Sequence, residues 1–384
     1  MQTETLYEQD PYLREFTAVV THCQPVKDGW QVVLDRTAFY PEGGGQPGDT
    51  GMLNDAEVWD TQEQNGVVVH NTRQPLSVGE QVTGQINWVR RFDHMQQHSG
   101  EHIVRGLIHA RYGYDNVGFH LGAELVTIDL NGPLDENQLA ALEAEANQVV
   151  WGDQEVQITW PDAPALAALE YRSKKALTGA VRIVTFPGAD VCACCGTHVR
   201  RTGEIGLIKL LSVQTFRSGV RVEMVCGRRA LDWLNRIAVQ NHQTSVLLSA
   251  KAEQTAGAVR RLYEETQKLK AQLASLQERV FAARAAQLSG RGHTLLFEEG
   301  LTPDGVRRLC DAVLQTCGGR CAVFSGQDGP GYQYAIGQKA GDLRPLVKAL
   351  NAALNGRGGG KPEFVQGFVP AARKEIEAFF ACTT

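Results

Sequence analysis

His98-Ser99-Gly100-Glu101-His102 and Cys194-Cys195-Gly196-Thr197-His198 decide how this chain is read, because each sets two metal-capable side chains four residues apart. On a helix, positions i and i+4 share a face, so His98 and His102 can point at one ion. Cys194 and His198 supply a second pair. Together they make a His3Cys set suited to zinc, a borderline-soft ion that takes nitrogen and sulfur ligands tetrahedrally. One HxxxH is weak evidence; two pairs of matching spacing in one chain are much stronger.

Around the first pair, apolar residues recur at helical spacing from about Phe92 to Tyr112 (Met95, Ile103 and Leu107, with Val104 and Ile108 beside them). His94 falls on the same stripe as His98 and His102. It is a further ligand, a support for one, or a polar residue of the first helical turn, and the last reading is preferred. Glu101 lies on another face and is read as solvated; His109 and His120 are read as structural.

Upstream, residues 1–90 are short β-branched or alternating runs such as Phe16–Thr21, Trp30–Leu34, Gly66–His70 and Gln81–Ile86, separated by turn signals. That spacing predicts a small barrel or sandwich. Within it, Phe39-Tyr-Pro-Glu-Gly-Gly-Gly-Gln-Pro-Gly-Asp-Thr-Gly51 holds five glycines, which allow positive φ and a close approach of backbone to something else. A long inter-strand turn is the plainer alternative.

Downstream, strands are expected at 117–122 and 125–130, an amphipathic helix over 135–150, and further strands at 155–160, 181–186, 205–211 and 220–225, an α+β arrangement. From 231 to 288 there is no proline. Val259, Leu262, Thr266, Leu269, Leu273, Leu276, Val280 and Ala283 keep the 3-4 spacing of a coiled-coil seam, long enough for a helical hairpin or a homodimer contact. The last region mixes buried strands (295–297, 321–325) with helices (304–315, 343–354). It also carries a glycine-rich loop, 355–367, whose Arg357 and Lys361 could face phosphate. The order GxxxxGK[ST] is missing there, so nucleotide hydrolysis is not indicated.

A chain of 384 residues can hold two or three domains, and 43% hydrophobic with 21% charged residues is ordinary for a soluble protein. No signal-like N-terminus and no apolar run of about 18 residues is present, so the expected location is cytoplasmic, with no membrane partner. Three of nine cysteines cluster at 192, 194 and 195, which in a cytosolic protein points to metal rather than disulfides. The net charge of −5 argues mildly against nucleic acid, yet Arg172 to Arg229 holds eleven Lys/Arg against three acidic residues.

Four motifs in order, the glycine stretch at 39–51, HSGEH at 98–102, CCGTH at 194–198 followed by Arg201-Thr-Gly-Glu-Ile-Gly206, and GRGGGKPEFVQG at 356–367, make the chain resemble the freestanding alanyl-tRNA editing proteins of the AlaX type, in their long form. It is similar to the editing half of alanyl-tRNA synthetase plus the C-terminal domain called DHHA1. The resemblance implies an α+β architecture: a small β-barrel (1–90), a zinc-binding α+β editing domain (91–230), a helical coiled-coil linker (231–291) and a DHHA1-like α/β domain (292–384). It implies an ATP-independent, trans-acting deacylase of mischarged tRNA(Ala), chiefly Ser-tRNA(Ala), with Gly-tRNA(Ala) as the second candidate.

Carried over by motif, His98, His102, Cys194 and His198 match the zinc ligands for one Zn2+ per chain, Gly43, Gly44, Gly45 and Gln46 the glycine motif at the pocket, and Thr197 the threonine of CxGTH. Cys195 stands where the synthetase motif usually has glycine, and Cys192 is extra, so either could compete with Cys194. Gln46, Thr50 and His120 are candidates for reading a substrate hydroxyl. Arg200, Arg201, Arg228 and Arg229 would carry acceptor-stem phosphates, and Arg357 and Lys361 a second part of the tRNA.

Two mechanisms stand open: zinc activating water, or zinc orienting the substrate while amides of the Gly43–Gly45 loop place water and oxyanion. The rival of another class is an RNA-binding protein with a purely structural zinc. A phosphoesterase is disfavoured, because the Asp-His-His metal motif it needs is missing.

Overall fold

The computed structural model describes residues 2–173 and 180–382 and falls into two compact units, Met1–Gln243 and Thr244–Thr384. Lys174 and Lys175, part of the basic segment, lie outside the described residues.

In the first unit six antiparallel strands close on themselves: Glu15–Val26, Gly29–Leu34, Val67–Thr72, Ala56–Gln64, Gly51–Leu53 and Gln81–Ile86, the last pairing back to the first. Alternation decides their inner face, since Phe16, Ala18 and Val20, then Val32 and Leu34, point into one apolar cluster. The glycine stretch lies between the strands ending at Leu34 and starting at Gly51. It is tied down by Arg91, whose Nε donates to both Asp49 oxygens (3.1 and 2.8 Å) and whose guanidinium also donates to the carbonyls of Pro11 (2.8 Å) and Ala38 (2.5 Å). Arg91 and Asp49 are both buried, and a buried pair this fully bonded fixes geometry more than it adds stability.

The central helix runs from Trp88 to Tyr112, starting four residues before the expected Phe92. Asn87 caps it, its side chain accepting from Arg90 N at 3.3 Å, and Gly113 ends it in the left-handed region (φ 69°). The earlier start moves His94 out of the first turn and into the buried body of the helix. Apolar Met95, Ile103, Val104, Leu107 and Ile108 pack against a four-stranded antiparallel sheet ordered Ile208–Phe216, Gly219–Cys226, Val126–Leu130, Asn116–Leu121 and against the helix Glu136–Trp151. Burying each such side chain is worth about 1.5–3 kcal/mol. A three-stranded sheet (Gln157–Thr159, Ile183–Phe186, Asp190–Ala193) covers another side, so the helix is enclosed and its polar residues must find partners inside. Glu101 is therefore not solvated: it is buried, accepts from Asn116 Nδ2 at 3.0 Å, and lies 3.5 Å from Arg105 Nε.

The helix Gly227–Leu247 follows, and the unit boundary falls within it. In the second unit Thr255–Gln287 is one helix, and its seam residues Val259, Leu262, Leu269, Leu273, Leu276 and Val280 are exposed in the single chain. A five-stranded sheet runs Gly292–Glu298, Gly318–Gln327, Gly331–Gly337, Phe364–Val369, Arg357–Lys361, parallel only in its first pair. Its two faces alternate: Cys321 and Val323 meet the helix Pro303–Cys317, while Ala322 and Phe324 meet Val347 and Leu350 of one helix and Ile376 and Phe380 of another. The expected loop at 355–367 is instead a hairpin, with Arg357 opposite Phe368 and Lys361 opposite Phe364. Its glycines sit on an edge strand, where no side chain is needed for packing. No helix among the described residues is long and apolar enough to cross a membrane.

Candidate metal centre

His98, His102, Cys194 and His198 come together in the first unit, with one ligand atom from each lying within 4.8 Å of the others. The central helix supplies the first two on one face. The loop after the strand Asp190–Ala193 supplies the others. Sequence spacing makes each pair; the fold brings the pairs face to face.

What orients the imidazoles is a ring of partners, one on each Nδ1. His98 Nδ1 donates to Gln46 Oε1 at 2.8 Å, His102 Nδ1 to Asp190 Oδ2 at 2.8 Å, and His198 Nδ1 lies 3.3 Å from Ser99 Oγ. With every Nδ1 held, Nε2 is the nitrogen each ring would offer to an ion, the usual arrangement of metal-bound histidines. His198 Nε2 is buried without a hydrogen-bond partner, and His98 Nε2 lies 3.6 Å from Cys194 Sγ. Phe119 stacks on His98 (centroids 5.4 Å apart) and Phe186 on His102 (5.5 Å), which fixes ring rotation.

Burial, helped by the nearby Cys192 sulfur, pushes the Cys194 thiol up to about 12 even though the Gly196 N–H donates to its sulfur. Burial also holds His198 neutral. A thiolate here therefore needs a cation, and an unpartnered imidazole nitrogen needs an acceptor of its lone pair; a bound metal ion meets both needs. Three imidazoles and one thiolate make a nitrogen and sulfur donor set that suits zinc.

Gly196 has a steric reason to be glycine, since a Cβ there would lie 2.2 Å from His98 Cε1 and 2.5 Å from Nδ1. Arg182 clamps the same loop, its Nη1 donating to the carbonyls of Cys194 (2.6 Å) and Gly196 (3.1 Å). Cys192 is buried, 3.2 Å from Arg105 Nη2, and groups with Asp190 and with His102, the residue it shares with the four-residue cluster; Cys195 is exposed.

Gln46, expected to contact substrate, is wholly buried and spans the site: Oε1 accepts from His98 Nδ1 and Thr197 N (3.3 Å), and Nε2 donates to Thr197 Oγ1 at 2.8 Å. It joins the glycine turn to the metal cluster. Gly43 and Gln46 close that turn through mutual backbone bonds, leaving Gly44 and Gly45 exposed at its tip, both at positive φ. A Cβ on Gly45 would meet the Phe119 ring at 2.5 Å. His120 is exposed on the opposite face of its strand from Phe119, because strand side chains alternate, so Phe119 is the residue at the cluster. Thr50 is half-buried.

The cation candidates differ. Arg229 is half-buried and locked to Asp93 through Nε (2.9 Å) and Nη2 (2.6 Å), so it braces the fold. Arg200 and Arg201 are exposed but paired with Asp10 and Asp153. Arg228 is exposed, 3.7 Å from Asp232. Arg357 and Lys361 lie exposed on the edge strand of the second unit. Asp190, Ser99, Phe119, Phe186 and Arg182 are site residues that the motif reading missed. Only Ser99, inside HSGEH, and Asp190, four residues before Cys194, carry a positional hint.

Three stretches match protein-family profiles: residues 9–90 the class II (A) tRNA synthetases, 181–223 the second additional domain of threonyl and alanyl tRNA synthetases, and 280–381 the DHHA1 domain. The alanyl-tRNA editing protein AlaX-L of Pyrococcus horikoshii is 29% identical over 97% of this chain and 96% of its own length. The alanyl-tRNA editing protein Aarsd1 of Rattus norvegicus is 33% identical over 69% of this chain and 68% of its own. An alanine–tRNA ligase of Pyrococcus abyssi is 30% identical over 98% of this chain but only 43% of its own length.

Proposed function

The chain belongs to the family of alanyl-tRNA editing proteins, and from that premise we propose that it is a zinc-dependent aminoacyl-tRNA hydrolase that removes the wrong amino acid from tRNA(Ala) in trans, serine first and glycine second. His98, His102, Cys194 and His198 would hold the ion. When bound, zinc supplies Lewis acidity toward an ester carbonyl or a coordination point for an amino group.

The chain's own residues do the rest. Gln46 fixes the His98 tautomer and the Thr197 hydroxyl together, so the glycine turn and the ion keep one geometry. Tyr40 Oη donates to the Gly43 carbonyl at 3.0 Å and steadies the turn from behind. The amides of Gly44 and Gly45 at the exposed tip are the donors we assign to the developing oxyanion. Choosing serine over alanine requires reading one hydroxyl, and a site that hydrogen-bonds that group discriminates far better than an apolar pocket does.

The observation that carries this reading is the ring of Nδ1 anchors around a His3Cys cluster, one anchor belonging to the glycine turn. Four protein ligands also suit a structural ion in an RNA-binding protein without catalysis. The exposed turn hydrogen-bonded to a ligand favours the enzyme.

The test is hydrolysis of Ser-, Gly- and Ala-tRNA(Ala) before and after chelation. Ser-tRNA(Ala) should be cleared, Gly-tRNA(Ala) more slowly and Ala-tRNA(Ala) spared. Chelation should abolish the activity, and zinc should restore it. Equal rates on all three, or no activity above that of a His98→Ala/Cys194→Ala double variant, would remove the proposal.

A further inference from the structure

A cavity of about 760 Å³ opens beside the N-terminal half of the central helix, lined among others by Pro47, Trp88, Arg90, His94, Gly122 and Arg228. Its volume suits a small-molecule or nucleotide-sized ligand. Two features place it next to the metal cluster. His94 lies one turn before His98 on the same helix, a rise of about 6 Å. Pro47 directly follows Gln46, the residue that holds His98 Nδ1.

The wall chemistry is specific. Trp88 and Phe92 form an aromatic side (centroids 5.5 Å apart), backed by Tyr12 at 5.4 Å from Trp88, with the Arg14 guanidinium 4.2 Å over the Trp88 ring. Three arginines border the cavity. Arg229 is spent on Asp93, and Arg90 donates to the Gly48 carbonyl at 3.3 and 3.2 Å. Arg228 is 77% exposed and only loosely paired, so its charge is available. At the back lies His94, 3% exposed, whose Nδ1 is buried without a partner. An unpartnered buried polar atom is costly and calls for a ligand or water. A neutral imidazole offers one donor and one acceptor, enough to read the edge of a base.

Aromatic wall, one available cation and one buried polar reader form the combination by which proteins hold unpaired nucleotides. We propose that this cavity receives an unpaired nucleotide from the 3′ end of the RNA substrate, its base against Trp88 and Phe92, its edge on His94 Nδ1 and its phosphate on Arg228. The site rests on the editing reading for the identity of the RNA. It adds that the 3′ end is anchored one helical turn from the ion, so that the ester enters the cluster from a fixed point.

The experiment uses the full chain and an unacylated tRNA(Ala) minihelix ending in CCA, with 2-aminopurine in place of the terminal or penultimate base in turn. At one position the fluorescence should be quenched on binding. Trp88→Leu should remove the quench, and Arg228→Glu, an exposed change that leaves the fold alone, should weaken binding about ten-fold at low salt. Metal content should be unchanged in both variants. No quench at either position, or an Arg228→Glu variant within two-fold of the parent, overturns the site. Displacement of the probe by AMP as readily as by unlabelled minihelix overturns the RNA assignment in favour of a free nucleotide. Quenching without hydrolysis of Ser-tRNA(Ala) keeps the site and removes the editing reading, whereas hydrolysis without quenching removes the site alone.

Discussion

Replacing Gln46 by methionine separates two roles that the glycine turn could have. Methionine keeps the volume of the side chain, so packing changes little. It deletes three hydrogen bonds: from His98 Nδ1 at 2.8 Å, from Thr197 N at 3.3 Å and to Thr197 Oγ1 at 2.8 Å. If Gln46 works by holding a metal ligand, the loss belongs to the ion. Removing the hydrogen-bond partner of a ligating histidine typically weakens metal binding by about 10–100-fold, which is about 1.4–2.8 kcal/mol. The buried Thr197 N–H left behind costs about 1–3 kcal/mol of stability in either metal state. Competition with a chromophoric chelator reads the first quantity, and urea unfolding of the metal-free protein reads the second. Deacylation at saturating zinc should then recover most of its parent rate. A zinc affinity within two-fold of the parent, with deacylation still lost, would refute the positioning role and put Gln46 on the substrate.

Two further outcomes rest on other buried contacts, one at the Gly196 loop and one inside the barrel. Gly196→Ala drives a methyl group to within 2.2 Å of His98 Cε1, so the purified variant should keep its far-ultraviolet circular dichroism but carry almost no zinc; full occupancy would show that the loop can yield. His70 is buried in the barrel, its Nδ1 donating to the Val32 carbonyl (3.0 Å) and its Nε2 bonded to Thr37 Oγ1 (2.8 Å), and burial pushes it down from 6.5 to about 4. The unfolded chain therefore binds the extra proton first. Stability is full above pH 6.5, falls as pH drops toward 4, and is about 2 kcal/mol lower at pH 5 than at pH 8 from this group. Urea titrations of the parent and of His70→Gln at the two pH values should differ by that amount, and parallel losses in both would discard it.

The four-residue His/Cys cluster was legible because helix period and motif spacing act within five residues, a range over which sequence distance and spatial distance agree. The anchors were not. Gln46 lies 52 positions from His98 and Asp190 lies 88 from His102, and neither an amide nor a carboxylate announces a distant imidazole. Glu101 was misjudged for a related reason. A solvated back face is the rule for a helix packed on one side, but this helix is covered by a second sheet as well, and that sheet is assembled from residues 157–193. The hairpin at 357–369 was hidden because strand propensity is weighed residue by residue, and Arg-Gly-Gly-Gly-Lys scores poorly. The pairing signal lies in its partner, Phe364–Val369, where Val365 and Val369 are buried on one face and Gln366 is exposed on the other.

The misses share one cause, and it bears on how the site works. Local pattern fixes which atoms can bind an ion, while long-range contacts fix which nitrogen does so and what lies beside it. Gln46 is the clearest instance, since one buried amide sets the His98 tautomer, the Thr197 hydroxyl and the anchor point of the glycine turn together. In that arrangement the barrel is part of the site, because an ion held without it would have no fixed turn at its side. The metal cluster and the glycine stretch, read as separate motifs in the sequence, act as one unit through that residue.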